Sequence, residues 1–189
     1  MAVFINRFFE ERVQQLFDLA GLVDQIFSSA GLEYRVVGGL AAYLYVEERE
    51  PDAGRLTKDI DIAVRREDLE RIAKAAETVG LQHRYVAGID MLVRRDQPSA
   101  ARAVHLVFVG ERVRPEYVEA VPAFGGFRTV RGLRLIPLAD LVRMKLTSFF
   151  AIDEAHVKDL DRTGLITPEI EAGLSPILAG RLAQVRARG

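Results

Sequence analysis

Between Tyr34 and Val64 the chain follows an order that few folds accommodate. A short β-branched run, Tyr34 to Val37, meets the pair Gly38-Gly39 and continues into an apolar helical stretch from Leu40 to Val46. A polar loop from Glu47 to Thr57, holding Pro51 and Gly54, then leads to Lys58-Asp59-Ile60-Asp61-Ile62-Ala63-Val64. The alternation of carboxylate with isoleucine has the period of a strand, so Asp59 and Asp61 are predicted to share one side while Ile60 and Ile62 face the other. Gly38 and Gly39, at a strand-to-helix turn, permit unusual backbone angles and close approach, and their amides are predicted to receive phosphate oxygens near a helix N-terminus. Two carboxylates held close repel each other unless a cation intervenes. Hard oxygen ligands beside a phosphate turn suit Mg²⁺, so Asp59 and Asp61 are the expected metal ligands.

The rest of the chain reads as alternating elements. Val13, Leu16, Phe17, Ala20, Val23 and Phe27 recur at helical steps, with Gly21 as a candidate break. A helix over Glu67 to Val79 is predicted to stop at Gly80, followed by strands Leu81 to Val86, Ile89 to Arg94 and Ala103 to Val109. Pro115 to Ala120 is a candidate short helix, and Phe127 to Val130 and Leu133 to Ile136 flank Arg131-Gly132 as a hairpin. After Pro137 the pattern turns helical: Leu138 to Phe149, Ala155 to Leu160, a helix from Pro168 capped by Thr167, and another from Pro176 to Ala187. The expectation is an α/β (α+β) mixed sheet with flanking helices and a helical C-terminal extension. Residues 1–137 would form the core with its N-terminal helix, and residues 138–189 the extension, packed on it as one unit.

Bulk properties narrow the function classes. The chain has 189 residues, 49% hydrophobic and 28% charged, which is enough to bury one ordinary core. A formal net charge of -1 provides no overall basic field to draw it to nucleic acid, so any polynucleotide contact is expected to be local. No cysteine is present, which excludes disulfides and thiolate metal sites and fits a reducing compartment. Glu10, Glu11 and Arg12 interrupt the apolar start that a signal peptide needs, and no apolar run approaches a membrane span. A soluble, cytoplasmic protein is expected.

Val36-Val37-Gly38-Gly39-Leu40-Ala41-Ala42 followed by Lys58-Asp59-Ile60-Asp61-Ile62-Ala63-Val64 resembles the hallmark of the nucleotidyltransferase superfamily, a Gly-Gly or Gly-Ser turn followed by a strand in which two aspartates alternate with apolar residues. Leu141-Val142-Arg143-Met144-Lys145-Leu146 and Val157-Lys158-Asp159-Leu160 look most like the branch of abortive-infection AbiEii-type toxins and their relatives, and the resemblance spans Tyr34 to Leu160. It implies that Asp59 and Asp61 hold Mg²⁺ or Mn²⁺, that Gly38 and Gly39 are the phosphate turn, that Lys145 is a partner of the triphosphate and that Asp159 is an orienting acid. The implied reaction moves a nucleoside monophosphate from a nucleoside triphosphate to a hydroxyl of RNA, a tRNA end among them, or of a protein. The implied setting is toxin–antitoxin, with an antitoxin as partner and no membrane.

This sequence departs from that pattern at two places. Many active members carry a third acid on a later strand, where His105 stands here. One reading makes His105 the acceptor of a proton from the attacking hydroxyl; the other makes it a hydrogen-bonded packing residue. Asp90, on the preceding strand, is a candidate replacement carboxylate. Related toxins also place a basic residue after the lysine, where Phe149 to Ile152 hold none, so Arg55, Lys58 or Arg143 are candidates to complete the triphosphate grip. A helical lysine such as Lys145 is either a solvated face residue or a residue at a cleft edge. Asp153, His156 and Asp159, at three-residue steps, are expected on a solvated face rather than around a metal. Arg94, Arg95 and Arg102, and Arg128, Arg131 and Arg134, form local basic patches that balance surface acids or meet RNA phosphates. The rival to an enzyme is a degenerate member that binds a nucleotide or a partner without turnover.

Overall fold

The computed structural model describes residues 2–51, 53–96 and 103–188, with side chains from residue 13 onward. In chain order the elements are α1 (Ala2–Ser29), β1 (Tyr34–Val37), α2 (Gly38–Arg49), β2 (Ile60–Val64), a 3₁₀ turn (Arg66–Asp68), α3 (Leu69–Glu77), β3 (Leu81–Val86), β4 (Ile89–Arg94), β5 (Val104–Phe108), β6 (Arg128–Val130), β7 (Leu133–Leu135), α4 (Leu138–Ser148), α5 (Ala151–Arg162), α6 (Pro168–Ala172) and α7 (Pro176–Ala187). The strands form one seven-stranded sheet in the order β3-β4-β5-β2-β1-β7-β6. β1 runs antiparallel to β2 and parallel to β7, β2 runs parallel to β5, and β4 runs antiparallel to both β3 and β5.

Register sorts side chains between the two faces. Val36 lies opposite Ile62, and Ile62 opposite Leu106, all of them buried. Tyr34 shares that face and meets Phe27 of α1 edge-on, with ring centroids 5.7 Å apart. Phe27 is fully buried, and burial of a side chain that size stabilises by about 1.5–3 kcal/mol. The opposite face carries Val37, Asp61, His105 and Met91, since Val37 pairs with Asp61, Asp61 with His105 and His105 with Met91. The alternation read in Asp59 to Val64 therefore has its predicted consequence for Asp61, which faces away from Ile60 and Ile62, while Asp59 lies outside the paired residues. The strand itself begins one residue later, at Ile60.

One hydrophobic cluster joins the sheet to both helical groups, from Leu16, Val23 and Phe27 of α1 through Leu40 and Leu44 of α2 to Leu141, Leu146, Val157, Leu160, Leu178 and Leu182. Gly21 does not interrupt α1, which continues to Ser29. Thr167 caps α6 by accepting from the Ile170 amide at 3.4 Å, as its position before Pro168 predicts. The expected short helix over Pro115 to Ala120 is absent. That segment is turn and bend within the long connection 109–127 across the second face of the sheet.

Two devices close that connection on itself and on the sheet. The Gly110 amide donates to Val121 O and the Val121 amide to Glu111 O, each at 2.9 Å. Arg35, only 3% exposed, donates to Gly125 O at 2.9 Å and Gly126 O at 3.3 Å, and its guanidinium sits 4.8 Å from the ring centres of both Phe124 and Phe127. Arg65 on Phe124 and Arg134 on Phe127 extend the stack outward. Neighbouring guanidinium groups thus occupy both aromatic rings, which gives them a structural role. No helix among the described residues is long and apolar enough to cross a membrane.

Candidate active site

Gly38, Gly39, Asp61 and His105 meet at the C-terminal end of β1. Gly38 takes φ +67, and a Cβ built on it would stand 2.7 Å from Asp61 Cγ and closer still to Asp61 Oδ2. Only glycine satisfies both conditions, because an L side chain resists the left-handed region and would collide with the carboxylate. Gly39 makes room in the same way for Thr57, whose Oγ1 would lie 2.7 Å from an added Cβ. Thr57 in turn accepts from the Asp59 amide at 3.4 Å. The glycine pair is therefore steric as well as permissive: it admits Asp61 and Thr57 against the start of α2, where the first amides of a helix have no carbonyl partner within it.

Asp59 and Asp61 differ in their surroundings. Asp61 Oδ1 lies 3.2 Å from His105 Nδ1. An ionised carboxylate only accepts, so this contact favours the tautomer with the proton on Nδ1 and makes Nε2 the basic atom of the ring. Asp59 Oδ1 is buried with no hydrogen-bond partner. Burial is the largest influence on Asp59 and pushes its pKa above the ordinary carboxylate value; Asp61 adds to the rise, while His105 and Lys58 oppose it. An orphaned carboxylate oxygen beside a second carboxylate and a glycine cradle is a donor set that fits a hard divalent cation. Among the described residues no group of three or more His, Cys, Asp or Glu forms a fuller cage, so a cation here would depend on further ligands from its substrate.

A cleft of about 200 Å³ opens beside these groups, lined by Gly38, Asp61 and Val107 on the sheet side, Tyr117 and Glu119 on the connection, and Lys145, Phe150 and Asp153 on the helical side. Lys145 is buried at the edge of this cleft, and its Nζ donates to Asp153 Oδ1 at 2.7 Å. The other oxygen of Asp153 accepts from Ser148 Oγ at 2.7 Å and from the Phe150 amide at 3.3 Å, at the start of α5.

Asp153, His156 and Asp159 do not form the solvated face expected of them. All three are buried, at 6%, 4% and 7% exposure, because that side of α5 packs on α2 and α4. Asp159 pairs with Arg55 at 2.6 Å, outside the cleft lining. His156 reaches the Gly39 turn, with Cε1 3.5 Å from an added Cβ there, and its Nδ1 is buried without a partner. Burial, reinforced by the Lys145 ammonium, pushes the His156 pKa down to about 4, so the ring is neutral at physiological pH.

The remaining candidates separate clearly. Lys58 is exposed next to Asp59. Arg143 is bound to Glu119 at 2.8 Å, and Glu119 also receives Ser175 Oγ at 2.9 Å. Asp90 does not replace the third acid. It pairs in register with Leu106, which places it on the opposite face from Asp61, and there it binds His83 at 2.7 Å and Arg66 at 3.2 Å. Arg102 lies outside the described residues.

No protein-family profile matches the chain, and no curated protein matches it in sequence. Solved structures do match its architecture. An antigenic nucleotidyltransferase-like protein from Paracoccidioides brasiliensis aligns with a TM-score of 0.58 at 17% identity, over 93% of this chain and 88% of that one. ANT(2″)-Ia, solved in complex with adenylyl-2″-tobramycin, aligns with a TM-score of 0.54 at 12% identity, over 93% of this chain and 98% of that one. The Megavirus polyadenylate synthase aligns with a TM-score of 0.55 at 10% identity, over 87% of this chain but 36% of the larger protein. At these identities the likeness concerns the fold, and the chain has the nucleotidyltransferase fold.

Proposed function

We propose that this chain is a metal-dependent nucleotidyltransferase that moves a nucleoside monophosphate from a nucleoside triphosphate to a hydroxyl group on RNA, a tRNA end among them, or on a protein. The observation that carries the reading is the seating of Asp61 against Gly38 with Asp59 Oδ1 left orphaned beside it. A buried, unsatisfied carboxylate oxygen costs about 1–3 kcal/mol or more, and a bound cation would recover that loss. The nucleotidyltransferase fold supports the same reading, as does the order of motifs along the chain.

In this mechanism Asp59 and Asp61 hold Mg²⁺ or Mn²⁺. These two carboxylates would hold the ion, and the chemistry it would supply is neutralisation of charge on the triphosphate and the departing pyrophosphate. The Gly38 and Gly39 amides at the start of α2 receive phosphate oxygens, and Lys145, at the cleft edge, binds the triphosphate. Lys58 adds positive charge on the solvent side. His105 takes the proton of the acceptor hydroxyl at Nε2, because Asp61 holds Nδ1. The acceptor oxygen then bonds to the α-phosphorus as the bond to the β-phosphate bridge breaks and pyrophosphate leaves. Asp159 keeps Arg55 in place on the loop leading to Asp59, a supporting task. The AbiEii-like motifs favour a toxin–antitoxin setting with an antitoxin partner.

The test is nucleotide binding with its metal requirement. Each nucleoside triphosphate that binds should, at 100 times its Kd with Mg²⁺, stabilise the protein by about 2.7 kcal/mol, and EDTA should erase the effect. Asp61→Asn should abolish it without unfolding the chain. Metal-independent stabilisation of equal size in the variant would remove the Asp pair from the mechanism.

A further inference from the structure

Lys145 and Asp153 sit in the cleft as a neutral pair, which is an odd state for a cation assigned to a triphosphate. Lys145 Nζ, almost wholly buried, donates to Asp153 Oδ1 at 2.7 Å, the one ion pair it makes among the described residues. Asp153, by contrast, does not depend on the lysine. Its Oδ2 holds Ser148 Oγ at 2.7 Å and the Phe150 amide at 3.3 Å, and its backbone lies in the first turn of the twelve-residue helix α5, whose dipole favours a carboxylate. If the ammonium left, one oxygen of Asp153 would lose its partner while the other kept both donors. If Asp153 were removed instead, the ammonium would remain buried with no counter-ion, which is the strongly destabilising way to break such a pair. The two ends of the pair are therefore unequal: the carboxylate is fixed and the lysine, on a flexible four-carbon stem, is transferable. Both residues line the cleft that also holds Gly38 and Asp61.

We propose that Lys145 is a two-position cation, parked on Asp153 in the free protein and transferred to a phosphate oxygen when a polyphosphate enters the cleft, so that Asp153 acts as a built-in competitor of the ligand. The inference rests on the assignment of the cleft to a nucleoside triphosphate. Asp153 gives the buried ammonium its counter-ion in the empty site, and the strength of its hold sets how readily the anion enters. Ser148 tunes that hold: while Ser148 donates to Oδ2 the carboxylate is shared, and without it the charge of Asp153 is left more fully to Lys145.

Inorganic tripolyphosphate with Mg²⁺ is the probe, because it carries the anion without base or sugar, and ATP with Mg²⁺ is measured in parallel by calorimetry on the full chain. Asp153→Asn should tighten tripolyphosphate binding about tenfold, since a fixed negative charge beside the anion is gone, while lowering the melting temperature of the free protein. Lys145→Met should weaken binding, and in the Lys145→Met background Asp153→Asn should no longer tighten it to the same extent, which is the signature of an effect carried by the lysine. Ser148→Ala keeps the ion pair intact and should weaken tripolyphosphate binding, so the proposal has a second, opposite-signed test if Asp153→Asn fails to fold. Unchanged or weaker binding in Asp153→Asn, or tighter binding in Ser148→Ala, would overturn the exchange while leaving the nucleotide assignment standing on the wild-type titrations. Wild-type protein that binds neither tripolyphosphate nor ATP would overturn both.

Discussion

Replacing Gly38 by alanine separates the two demands made on that position. The left-handed backbone at φ +67 costs an L residue about 1–2 kcal/mol. The new methyl would also press on Asp61, with Cγ 2.7 Å and Cβ 2.8 Å away, and overpacking of that kind typically costs about 1–3 kcal/mol. Gly38→Ala should therefore destabilise the chain by about 2–5 kcal/mol in urea melts followed by circular dichroism. Asp61→Gly removes all three contacting atoms, Cβ, Cγ and Oδ2. In the double variant only the backbone part should remain, so the two substitutions should couple by about 1–3 kcal/mol. Strict additivity would show that Asp61 does not rest on Gly38, and the steric account of the glycine pair would fall with it.

Other perturbations address neighbouring groups. The folded chain keeps His156 neutral down to about pH 4, whereas an unfolded chain protonates it below about 6.5. Stability present above pH 6.5 should accordingly fall, by roughly 3 kcal/mol at most, as the pH drops through 6.5 toward 4, and His156→Phe should flatten that part of the stability profile. Asp59 has the reverse sign: its raised pKa means that ionisation disfavours the empty fold, so stability falls as the pH rises past its titration. Asp59→Asn should then raise the melting temperature of the free protein at pH 7 while weakening Mg²⁺-dependent nucleotide binding tenfold or more, about 1.4 kcal/mol. His105→Asn should reduce turnover by about 10²–10⁴ with nucleotide affinity unchanged, and an equal loss of melting temperature and activity would return it to a packing role.

The site was partly legible because its central motif is local. The facing of Asp61 against that of Ile60 and Ile62 follows from strand period alone, and Gly38-Gly39 mark a turn through backbone freedom alone, so both follow from consecutive residues, whereas Asp59 precedes the strand. The reason the glycines are required lies elsewhere, in Asp61 and Thr57 pressing on them from across the β1–β2 pair, and Thr57 gave no signal beyond its place two residues before Asp59. The polar stripe of α5 misled for a physical reason. Polar residues at helical spacing usually face water, but Asp153 and Asp159 each meet a buried or bridging cation from another element, Lys145 and Arg55, and a stripe with such partners can be packed inward. Tyr117 and Glu119 lie on a connection whose path is set by Arg35 between Phe124 and Phe127, contacts about ninety residues apart in sequence that no local pattern reports.

The transfer itself gives the most direct test of the central claim. Full-length protein with Mg²⁺ or Mn²⁺ would be incubated with each of the four nucleoside triphosphates labelled on the α-phosphorus, together with total cellular RNA or total cellular protein. Nucleotidyl transfer predicts that label enters one macromolecular fraction with pyrophosphate released, and that Asp61→Asn abolishes the incorporation. If nucleotides stabilise the fold but no label moves from any of the four with either metal, the chain binds nucleotide without transferring it, and the enzyme assignment is wrong.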